Sequence, residues 1–285
     1  MKGSAVVCEP FTLSSSQTGK LCGDLRYPAD APGPVQTIVI CHSFMAFKDW
    51  GFFPVVAELL AEAGYASVIF NFSQNGVSCG GNRITDFDAF RENTFSRELA
   101  DLTDVLDGIS RGDIGKGIIE GKNPVLLGHS RGGGIAILQA AGDARVRGLA
   151  TWSAISTFDR WTEHQKVLWR AQGYLPLARE VPASPLRLGL GLLNDLETHH
   201  NRLSVLSAAS RIRVPWLILH GKADITVSPR EAEALAGASG SASTTLTLLE
   251  RTGHLFNARS EVEDHYRTLN GVLAVTITWL KENFS

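Results

Sequence analysis

Short apolar runs along the chain alternate with longer segments in which apolar residues recur every three or four positions. Thr37–Cys41 and Ala66–Asn71 are such runs, and largely apolar or β-branched runs are typical of strands buried on both faces of a parallel sheet. The segment between them has helical periodicity and ends at Gly64, a residue type that favours the end of a helix. Another amphipathic helix is predicted between Phe95 and Ile109. This alternation predicts an α/β architecture with a mostly parallel sheet.

The same pattern predicts eight strands. The first two have no helical segment between them and are therefore expected to form an antiparallel start. The predicted strands are Val6–Leu13, Lys20–Tyr27, Thr37–Cys41, Ala66–Asn71, Val125–Gly128, Val146–Ser153, Pro215–His220 and Ser243–Leu249. A last helix is predicted over about Val262–Leu280.

The alternation stops over residues 157–212. We predict a helix near Phe158–Ala171 and then a small hairpin, which includes leucines at period two from Leu186 to Leu192. An insertion between two core strands lies above the strand ends, where ligands bind in open α/β sheets. We therefore expect a single domain, 1–285, with an inserted cap that covers the substrate. A long helical crossover is the alternative.

Length and composition fit one ordinary globular core. The 285 residues are 44% hydrophobic and 20% charged, and the net charge is −2. No basic run indicates nucleic acid or an anionic membrane surface, and no apolar segment reaches the about 18 residues of a membrane span. Met1–Cys8 lacks the apolar core of a signal peptide, so a cytoplasmic location is expected.

Cysteine and histidine spacing predicts no metal site. Four cysteines are scattered without zinc-site spacing, at Cys8, Cys22, Cys41 and Cys79. In a chain of this length we expect reduced, mostly buried thiols rather than a disulfide framework. The pair His199-His200 has no accompanying cluster of acidic or cysteine ligands, and an exposed helix end is the simpler interpretation.

The run Gly128-His129-Ser130-Arg131-Gly132 fits Gly-x-Ser-x-Gly. An apolar strand precedes it and a helical pattern follows, which is the strand–turn–helix context of a nucleophile elbow. Glycines on both sides of the serine leave room where strand and helix come close. We predict that Ser130 projects its hydroxyl above the sheet as a nucleophile; a glycine-rich turn without catalytic function is the alternative.

Two later segments deliver the partners that a serine nucleophile needs. A serine hydroxyl is a weak nucleophile at neutral pH, so it requires a base, and a histidine base requires a carboxylate that orients it. Asp224 ends the turn after the strand Pro215–His220, and His254 follows the next strand. The order serine, acid, histidine is that of this architecture. The predicted triad is Ser130, Asp224 and His254.

Three other carboxylates are weaker candidates for the acid. Asp159 and Asp195 lie in the insertion and follow no clear core strand, and Glu250 ends the strand that delivers His254. His129 stands beside the serine, but the elbow is expected to turn its side chain away from the site.

The tetrahedral intermediate of acyl transfer needs backbone N–H donors where negative charge develops. One is expected from Arg131, the residue after the serine. The second is expected from the loop after the third strand, which begins at Cys41 and reaches Trp50.

Nearly the whole chain resembles the α/β-hydrolase superfamily. The resemblance is carried by His42-Ser43-Phe44, Gly128-His129-Ser130-Arg131-Gly132-Gly133, His220-Gly221-Lys222-Ala223-Asp224 and Gly253-His254. It implies an eight-stranded, mostly parallel sheet with helices on both faces and an inserted cap. It also implies that Phe44 donates the second backbone N–H, with Ser43 in place of the usual glycine.

Within the superfamily, the motifs are most similar to small cytoplasmic esterases related to feruloyl (cinnamoyl) esterases and to prolyl-oligopeptidase-like hydrolases. In such enzymes a loop like Asn71–Gly76 lines the pocket. The insertion offers Trp161, Trp169 and Tyr174 as substrate contacts but no basic cluster, which favours uncharged acyl groups. We predict a carboxylesterase-type serine hydrolase that cleaves small esters of such groups through an acyl-enzyme on Ser130.

Other functions fit the sequence less well. A serine peptidase or amidase of prolyl-oligopeptidase-like type would use the same triad, whereas a noncatalytic binding protein would not need all three residues. A dinucleotide motif fails because Ser130 stands where a glycine is required, and a P-loop is absent. We predict a small-molecule ester as partner and no cofactor, metal, membrane or nucleic acid; the oligomeric state is left open.

Overall fold

An eight-stranded sheet runs through the molecule. The computed structural model describes residues 5–17, 19–119, 123–177, 186–258 and 266–284. Its strands are β1 (Val6–Ser14), β2 (Lys20–Pro28), β3 (Thr37–Cys41), β4 (Ala66–Phe70), β5 (Val125–His129), β6 (Gly148–Trp152), β7 (Tyr174–Pro176), β8 (Arg187–Gly189), β9 (Trp216–Gly221) and β10 (Thr244–Leu249).

The strand order in the large sheet is β1-β2-β4-β3-β5-β6-β9-β10. β2 pairs antiparallel with both β1 and β4, and every other neighbouring pair in this sheet is parallel. The predicted antiparallel start and the mostly parallel eight-stranded sheet are therefore confirmed. The parallel order brings the carboxyl ends of β3, β5, β9 and β10 to one edge of the sheet, where ligands bind in open α/β folds.

Helices cover both faces of the sheet. They are α1 (Phe53–Glu62), α2 (Phe87–Glu92), α3 (Phe95–Arg111), α4 (Arg131–Gly142), α5 (Glu163–Gln172), α6 (Leu190–Thr198), α7 (Val205–Ala209), α8 (Pro229–Ala238) and α9 (Arg267–Phe284). The sequence pattern indicated α1, α3, α4, α5 and α9 but not α2, α6, α7 or α8.

Successive residues of the central strands belong to two different apolar clusters. On β3, Ile38 and Ile40 pack in the cluster that includes α1 and α9, whereas Val39 packs in the cluster that includes α3 and α4. This alternation follows from the period of two in a strand. Full burial of one such side chain stabilises the fold by about 1.5–3 kcal/mol. A strand with apolar side chains on both faces is therefore stabilised by the helices on both sides of the sheet.

The segment between β6 and β9 contains the predicted helix and hairpin, as α5 and the antiparallel pair β7–β8. The leucine repeat was interpreted wrongly in its second half. Leu188 lies on β8, but Leu190 begins α6, whose buried side chains Leu192, Leu193 and Leu196 follow helical spacing. Part of this segment, residues 178–185, lies outside the described residues.

The last helix begins at Arg267 in the described part of the chain, and Val262, where it was predicted to start, lies outside that part. None of the helices that the structure describes is long and apolar enough to cross a membrane.

The expectation of four reduced thiols is wrong for two of them. Cys22 on β2 and Cys79 in the loop after β4 form a disulfide, with their Cα atoms 5.3 Å apart, within the range that such a bond spans. Cys41 is a buried free thiol, and Cys8 is exposed rather than buried. The pairing of β2 with β4 creates this proximity, which the spacing along the sequence does not indicate.

Candidate active site

Ser130 lies in the tight turn between β5 and α4, with φ +54° and ψ −119°. A non-glycine residue in such a conformation is strained by about 1–3 kcal/mol, so its surroundings must hold it there. The Trp152 carbonyl accepts a hydrogen bond from the Ser130 N–H at 2.9 Å, and the Ser130 carbonyl accepts one from the Gly133 N–H at 3.0 Å. The strand–turn–helix elbow is thus present, with Ser130 at its tip.

The two glycines of the motif are required by close backbone contacts. A Cβ atom at Gly128 would lie 2.5 Å from the Gly132 carbonyl oxygen, and one at Gly132 would lie 2.4 Å from the carbonyl oxygens of both Cys41 and His42. Real Cβ atoms do not approach other atoms so closely. The elbow therefore packs directly against the loop after β3.

Asp224 and His254 are brought together by the turns after β9 and β10. The His254 Nδ1 lies 2.7 Å from the Asp224 Oδ2. An ionised carboxylate can only accept, so Nδ1 carries the proton and donates it, which leaves Nε2 of His254 as the basic nitrogen. Ser130 and His254 line the same cavity.

Several donors surround the buried Asp224 carboxylate. Its Oδ1 accepts the Thr226 and Val227 backbone N–H groups at 2.9 Å each, and its Oδ2 lies 3.2 Å from Nε2 of His220. Burial by itself raises the pKa of Asp224, but the hydrogen bonds from His220, His254 and Val227 outweigh it and hold that pKa well below its usual range. The carboxylate is therefore ionised at neutral pH.

His129 supports the loop that carries His254 and does not line the cavity. Its ring is fully buried against Phe52 and Phe256. Its Nε2 lies 3.0 Å from the His254 carbonyl oxygen, which can only accept, so Nε2 is the donor. Burial lowers the pKa of His129 to about 3, so the ring is neutral and holds the backbone of His254 in place.

The backbone N–H groups of Phe44 and Arg131 have no hydrogen-bond partner among the described residues. Both residues line the cavity beside Ser130. Free N–H groups at that position are what the predicted role of oxyanion donors requires.

The segment Asn71–Gly76 does not line the cavity, contrary to expectation. Its residues instead form hydrogen bonds with the loop after β3. The Asn71 Oδ1 accepts the Lys48 N–H at 2.7 Å, and the Phe72 N–H donates to Nε2 of His42 at 3.3 Å. Burial lowers the pKa of His42 to about 4, so its neutral ring can accept at Nε2 and donate from Nδ1 to the Ser43 carbonyl.

The side chain of Arg131 forms a buried ion pair that the sequence analysis missed. Its Nε and Nη2 lie 2.9 Å from the two carboxylate oxygens of Glu98 on α3. The guanidinium lies over the rings of Phe44 and Phe95, at 5.0 and 4.4 Å from their centres. The available signal was an acidic residue on the apolar face of α3. The ion pair links the elbow to α3, and the contact of the guanidinium with the ring of Phe44 links it to the loop after β3.

The cavity has a volume of about 570 Å³ and is mostly apolar. Besides the residues already placed, its walls include Met45, Trp50, Phe95, Ile155, Phe158, Arg160, Trp161, Val227 and Leu255. Of the three aromatic residues predicted to contact substrate, only Trp161 lines it. Trp169 is fully buried behind Trp161, with ring centres 5.0 Å apart, and Tyr174 packs against Arg187. The apolar side of α5 faces the core, which removes Trp169 from the cavity.

The other candidate acids are engaged elsewhere. Asp195 accepts from the Ser96 N–H and lies 2.9 Å from Nδ1 of His199. Asp159 is paired with Lys166 at 2.7 Å, and Glu250 is paired with Lys222. Asp224 is the carboxylate that contacts His254.

The sequence model of the alpha/beta hydrolase family matches residues 38–263. This match covers most of the chain, and the chain belongs to that family. The resemblance and the fold class stated from the sequence are thereby confirmed. Among curated proteins compared by sequence, none matches this chain.

Solved structures with the same fold include several ester-cleaving enzymes. Est1E from Butyrivibrio proteoclasticus is 17% identical, with 96% of this chain and 98% of that chain covered and a TM-score of 0.67. The esterase domain of a Rhodothermus marinus protein is 20% identical, with 98% of each chain covered and a TM-score of 0.63. A monoacylglycerol lipase from Paleococcus ferrophilus is 17% identical, with 96% and 99% covered and a TM-score of 0.63. At these identities the likeness establishes the fold.

Proposed function

We propose that the protein is a carboxylesterase-type serine hydrolase that cleaves esters of small uncharged acyl groups through an acyl-enzyme on Ser130. The observation that carries this proposal is the 2.7 Å contact between Asp224 and His254. His254 and Ser130 line the same cavity. Nucleophile, base and orienting acid then occupy the roles that acyl transfer requires.

The first half of the reaction forms the acyl-enzyme. The Ser130 Oγ attacks the ester carbonyl carbon while Nε2 of His254 takes the hydroxyl proton. The carbonyl oxygen becomes an oxyanion that accepts hydrogen bonds from the Phe44 and Arg131 N–H groups. Collapse of this intermediate breaks the bond to the alcohol oxygen, which receives the proton from His254 as it leaves.

Water completes the cycle. It attacks the acyl carbon, gives a proton to His254, and the second tetrahedral intermediate releases the acid as His254 returns the proton to the Ser130 Oγ. Throughout, Asp224 fixes the His254 tautomer and stabilises the imidazolium form. The donors around Asp224 are suited to this role because they keep the carboxylate ionised.

The cavity supports the proposed substrate class. An apolar enclosure of about 570 Å³ accommodates a small acyl or aromatic group and desolvates it, which favours substrates without charge. A structural relative gives independent support, since Est1E has been solved with ferulic acid bound, at 17% identity and a TM-score of 0.65. Trp161 is the cap residue that we propose to contact substrate.

Replacement of the nucleophile tests the proposal. We expect Ser130→Ala to lower kcat for p-nitrophenyl butyrate by roughly 10⁴–10⁶-fold and to abolish labelling by a fluorophosphonate probe. Ser153→Ala is the matched control, because Ser153 is also a buried serine at positive φ, after the neighbouring strand β6; its activity should persist. Full activity of Ser130→Ala would disprove the assignment.

A substrate panel tests the ester preference. It should include acetyl to decanoyl esters, methyl ferulate and aminoacyl anilides. We expect the highest kcat/KM for small uncharged esters. Higher values for the anilides would indicate a peptidase or amidase, and no turnover of any member together with no labelling at Ser130 would favour a binding protein.

A further inference from the structure

Arg160 brings a second guanidinium to the wall of the cavity, and it does not act as a free charge. Its Nη1 lies 2.8 and 3.0 Å from the two carboxylate oxygens of Glu231. Its Nη2 donates to the Thr226 carbonyl at 3.2 Å. The side chain of Arg160 is 34% exposed and that of Glu231 is 17% exposed, so the acid is the more deeply placed partner.

Glu231 is fixed by more than its arginine. It lies in the first turn of α8, where the helix N-terminus favours negative charge. One of its oxygens also accepts the Ser156 N–H at 2.7 Å and the Ser156 hydroxyl at 3.2 Å. The carboxylate is thereby held against the segment after β6, and it holds Arg160 in a defined position at the cavity wall.

Arg160 retains N–H donors without a partner in the described part of the chain, although the charges of Arg160 and Glu231 cancel. A guanidinium carries five N–H groups, and the contacts with Glu231 and Thr226 use two, because both Glu231 oxygens lie on the same side of Nη1 and accept the same N–H. The Nε–H, the other Nη1–H and one Nη2–H of Arg160 have no partner among the residues that the structure describes. They can donate to an oxygen of a ligand in the cavity. Because Glu231 cancels the charge, a neutral oxygen gains that hydrogen bond, whereas a carboxylate would also meet the repulsion of Glu231.

The other arginine at the cavity is balanced in the same way, since Arg131 is paired with Glu98. Both arginines that line the cavity are thus neutralised by a glutamate that does not itself line it. We propose that Arg160 and Glu231 determine charge selectivity: the pair admits esters that carry an uncharged hydrogen-bond acceptor and discriminates against esters that carry a carboxylate. This inference rests on the proposed esterase function and names the residues that enforce its substrate class.

Matched esters that differ only in charge test the pair. Para-acetoxybenzamide and para-acetoxybenzoate place the carboxamide or carboxylate on the alcohol side, and the p-nitrophenyl esters of adipamic acid and of adipic acid place it on the acyl side. The measured quantity is the ratio of kcat/KM for carboxylate over carboxamide. For at least one of the two pairs, we expect Glu231→Gln to raise this ratio about tenfold or more, because Arg160 then presents an uncompensated charge to the carboxylate.

Arg160→Gln should move the ratio in the opposite direction, because Glu231 is then the uncompensated charge. The matched control is Glu197→Gln, which removes the acid of the exposed pair that Glu197 forms with Arg170; neither residue lines the cavity, and the ratio should stay unchanged. Circular dichroism of every variant establishes that it is folded. The opposite shifts keep the test decisive if one of the two variants does not fold.

The outcomes separate the two proposals. If the wild type hydrolyses the carboxamide esters and Ser130→Ala does not, the proposed function stands. Under that condition, a ratio that stays within about twofold of wild type for both pairs in Glu231→Gln and Arg160→Gln overturns the selectivity role of the pair. A shift of the same size in Glu197→Gln also overturns it, because the effect would then reflect net charge. Absence of any wild-type turnover overturns both proposals.

Discussion

The turn that carries Ser130 and the loop after β3 are in direct contact at Gly132. The space for a Cβ atom there is occupied by the carbonyl oxygens of Cys41 and His42, each 2.4 Å away. Since the loop that starts at His42 carries Phe44, this contact sets the position of Ser130, the proposed nucleophile, relative to the proposed second N–H donor. A single glycine thus couples the elbow to the loop that carries Phe44.

We expect Gly132→Ala to push the two turns apart and to lower kcat by about 10²-fold or more, since a misplacement of about 1 Å has that effect on reacting groups. Overpacking should also lower the free energy of unfolding by about 1–3 kcal/mol. Gly142→Ala is the control on the same helix, because no atom lies within 4 Å of a Cβ built there. Kinetics and urea unfolding measure both effects; equal kcat values for the two variants would contradict the coupling.

The acid can be assigned by exchanging a carboxylate for an amide. Asp224→Asn can offer an N–H to Nδ1 of His254 and so favour the wrong tautomer, which should lower kcat by about 10⁴-fold with the fold retained. Asp195→Asn and Asp159→Asn should change kcat little, because both carboxylates are bonded elsewhere. A loss of similar size in either of these controls would move the acid into the insertion.

The expected pH profile follows from the charge state of the proposed triad. The hydrogen bonds that hold the pKa of Asp224 below its usual range keep it ionised at every pH where imidazole side chains ordinarily titrate, about 5 to 8. Protonation of the base is then the one step that stops the reaction, so log kcat/KM should rise with a slope of one and reach a plateau. A slope of two on the acid side, with the protein still folded, would show that a second essential group titrates.

At the scale of elements, α3 carries two buried acids that connect different parts of the fold. Glu98 pairs with Arg131 of the elbow. Asp101 accepts the Ser15 hydroxyl at 2.9 Å and the Ser73 N–H at 2.8 Å, so it joins the β1–β2 turn to the segment after β4. Burial raises the pKa of Asp101 to about 6, although the hydrogen bonds from Ser73 and Ser15 oppose the shift.

This raised pKa predicts how stability depends on pH. Below about pH 3 Asp101 is protonated in both the folded and the unfolded chain, whereas above about pH 7 the folded chain must hold it ionised in a buried site. The free energy of unfolding of the wild type, relative to Asp101→Asn, should therefore fall by up to about 3 kcal/mol between these limits. Urea unfolding of both proteins at several pH values measures the difference; a difference that is constant with pH would contradict it.

Elements with a strong local pattern could be predicted from the sequence, whereas elements chosen by distant contacts could not. β3 and α3 follow from apolar runs and helical spacing. The leucines after residue 186 fit a strand by alternation, but burial of Leu193 and Leu196 against the core selects a helix for α6. Asp224 and His254 could be selected because each follows a core strand and because they come in the order acid, then histidine. The structure brings the two side chains into contact.

At the site, the sequence could not indicate ion pairs between residues that lie far apart along the chain. Glu231 is 71 residues from Arg160 and Glu98 is 33 residues from Arg131, so no local spacing links them. Trp169 was predicted to contact substrate because it is aromatic and lies in the insertion, yet packing places it in the core. Residue type indicates chemistry, whereas burial decides whether that chemistry faces the cavity.

At the scale of the whole molecule, the disulfide ties the antiparallel edge of the sheet to the loop that supports the proposed oxyanion hole. Cys22 lies on β2, and Cys79 lies a few residues after Phe72 and Asn75, which pack around His42. The bond therefore closes a loop that contains β3, α1 and β4. It restricts the unfolded chain without entering the cavity.

Reduction of this bond should lower stability more than activity. For a sequence separation of 57 residues, the entropy of loop closure in the unfolded chain corresponds to about 4 kcal/mol. We expect the free energy of unfolding to fall by up to that amount in dithiothreitol, with kcat unchanged at temperatures where the protein stays folded. The Cys22→Ser/Cys79→Ser variant should match the reduced wild type and should not respond to dithiothreitol, because the remaining thiols at Cys8 and Cys41 are unpaired. Identical urea transitions of the wild type with and without dithiothreitol, in protein whose thiol titration shows two free cysteines before reduction, would show that the bond contributes nothing to stability.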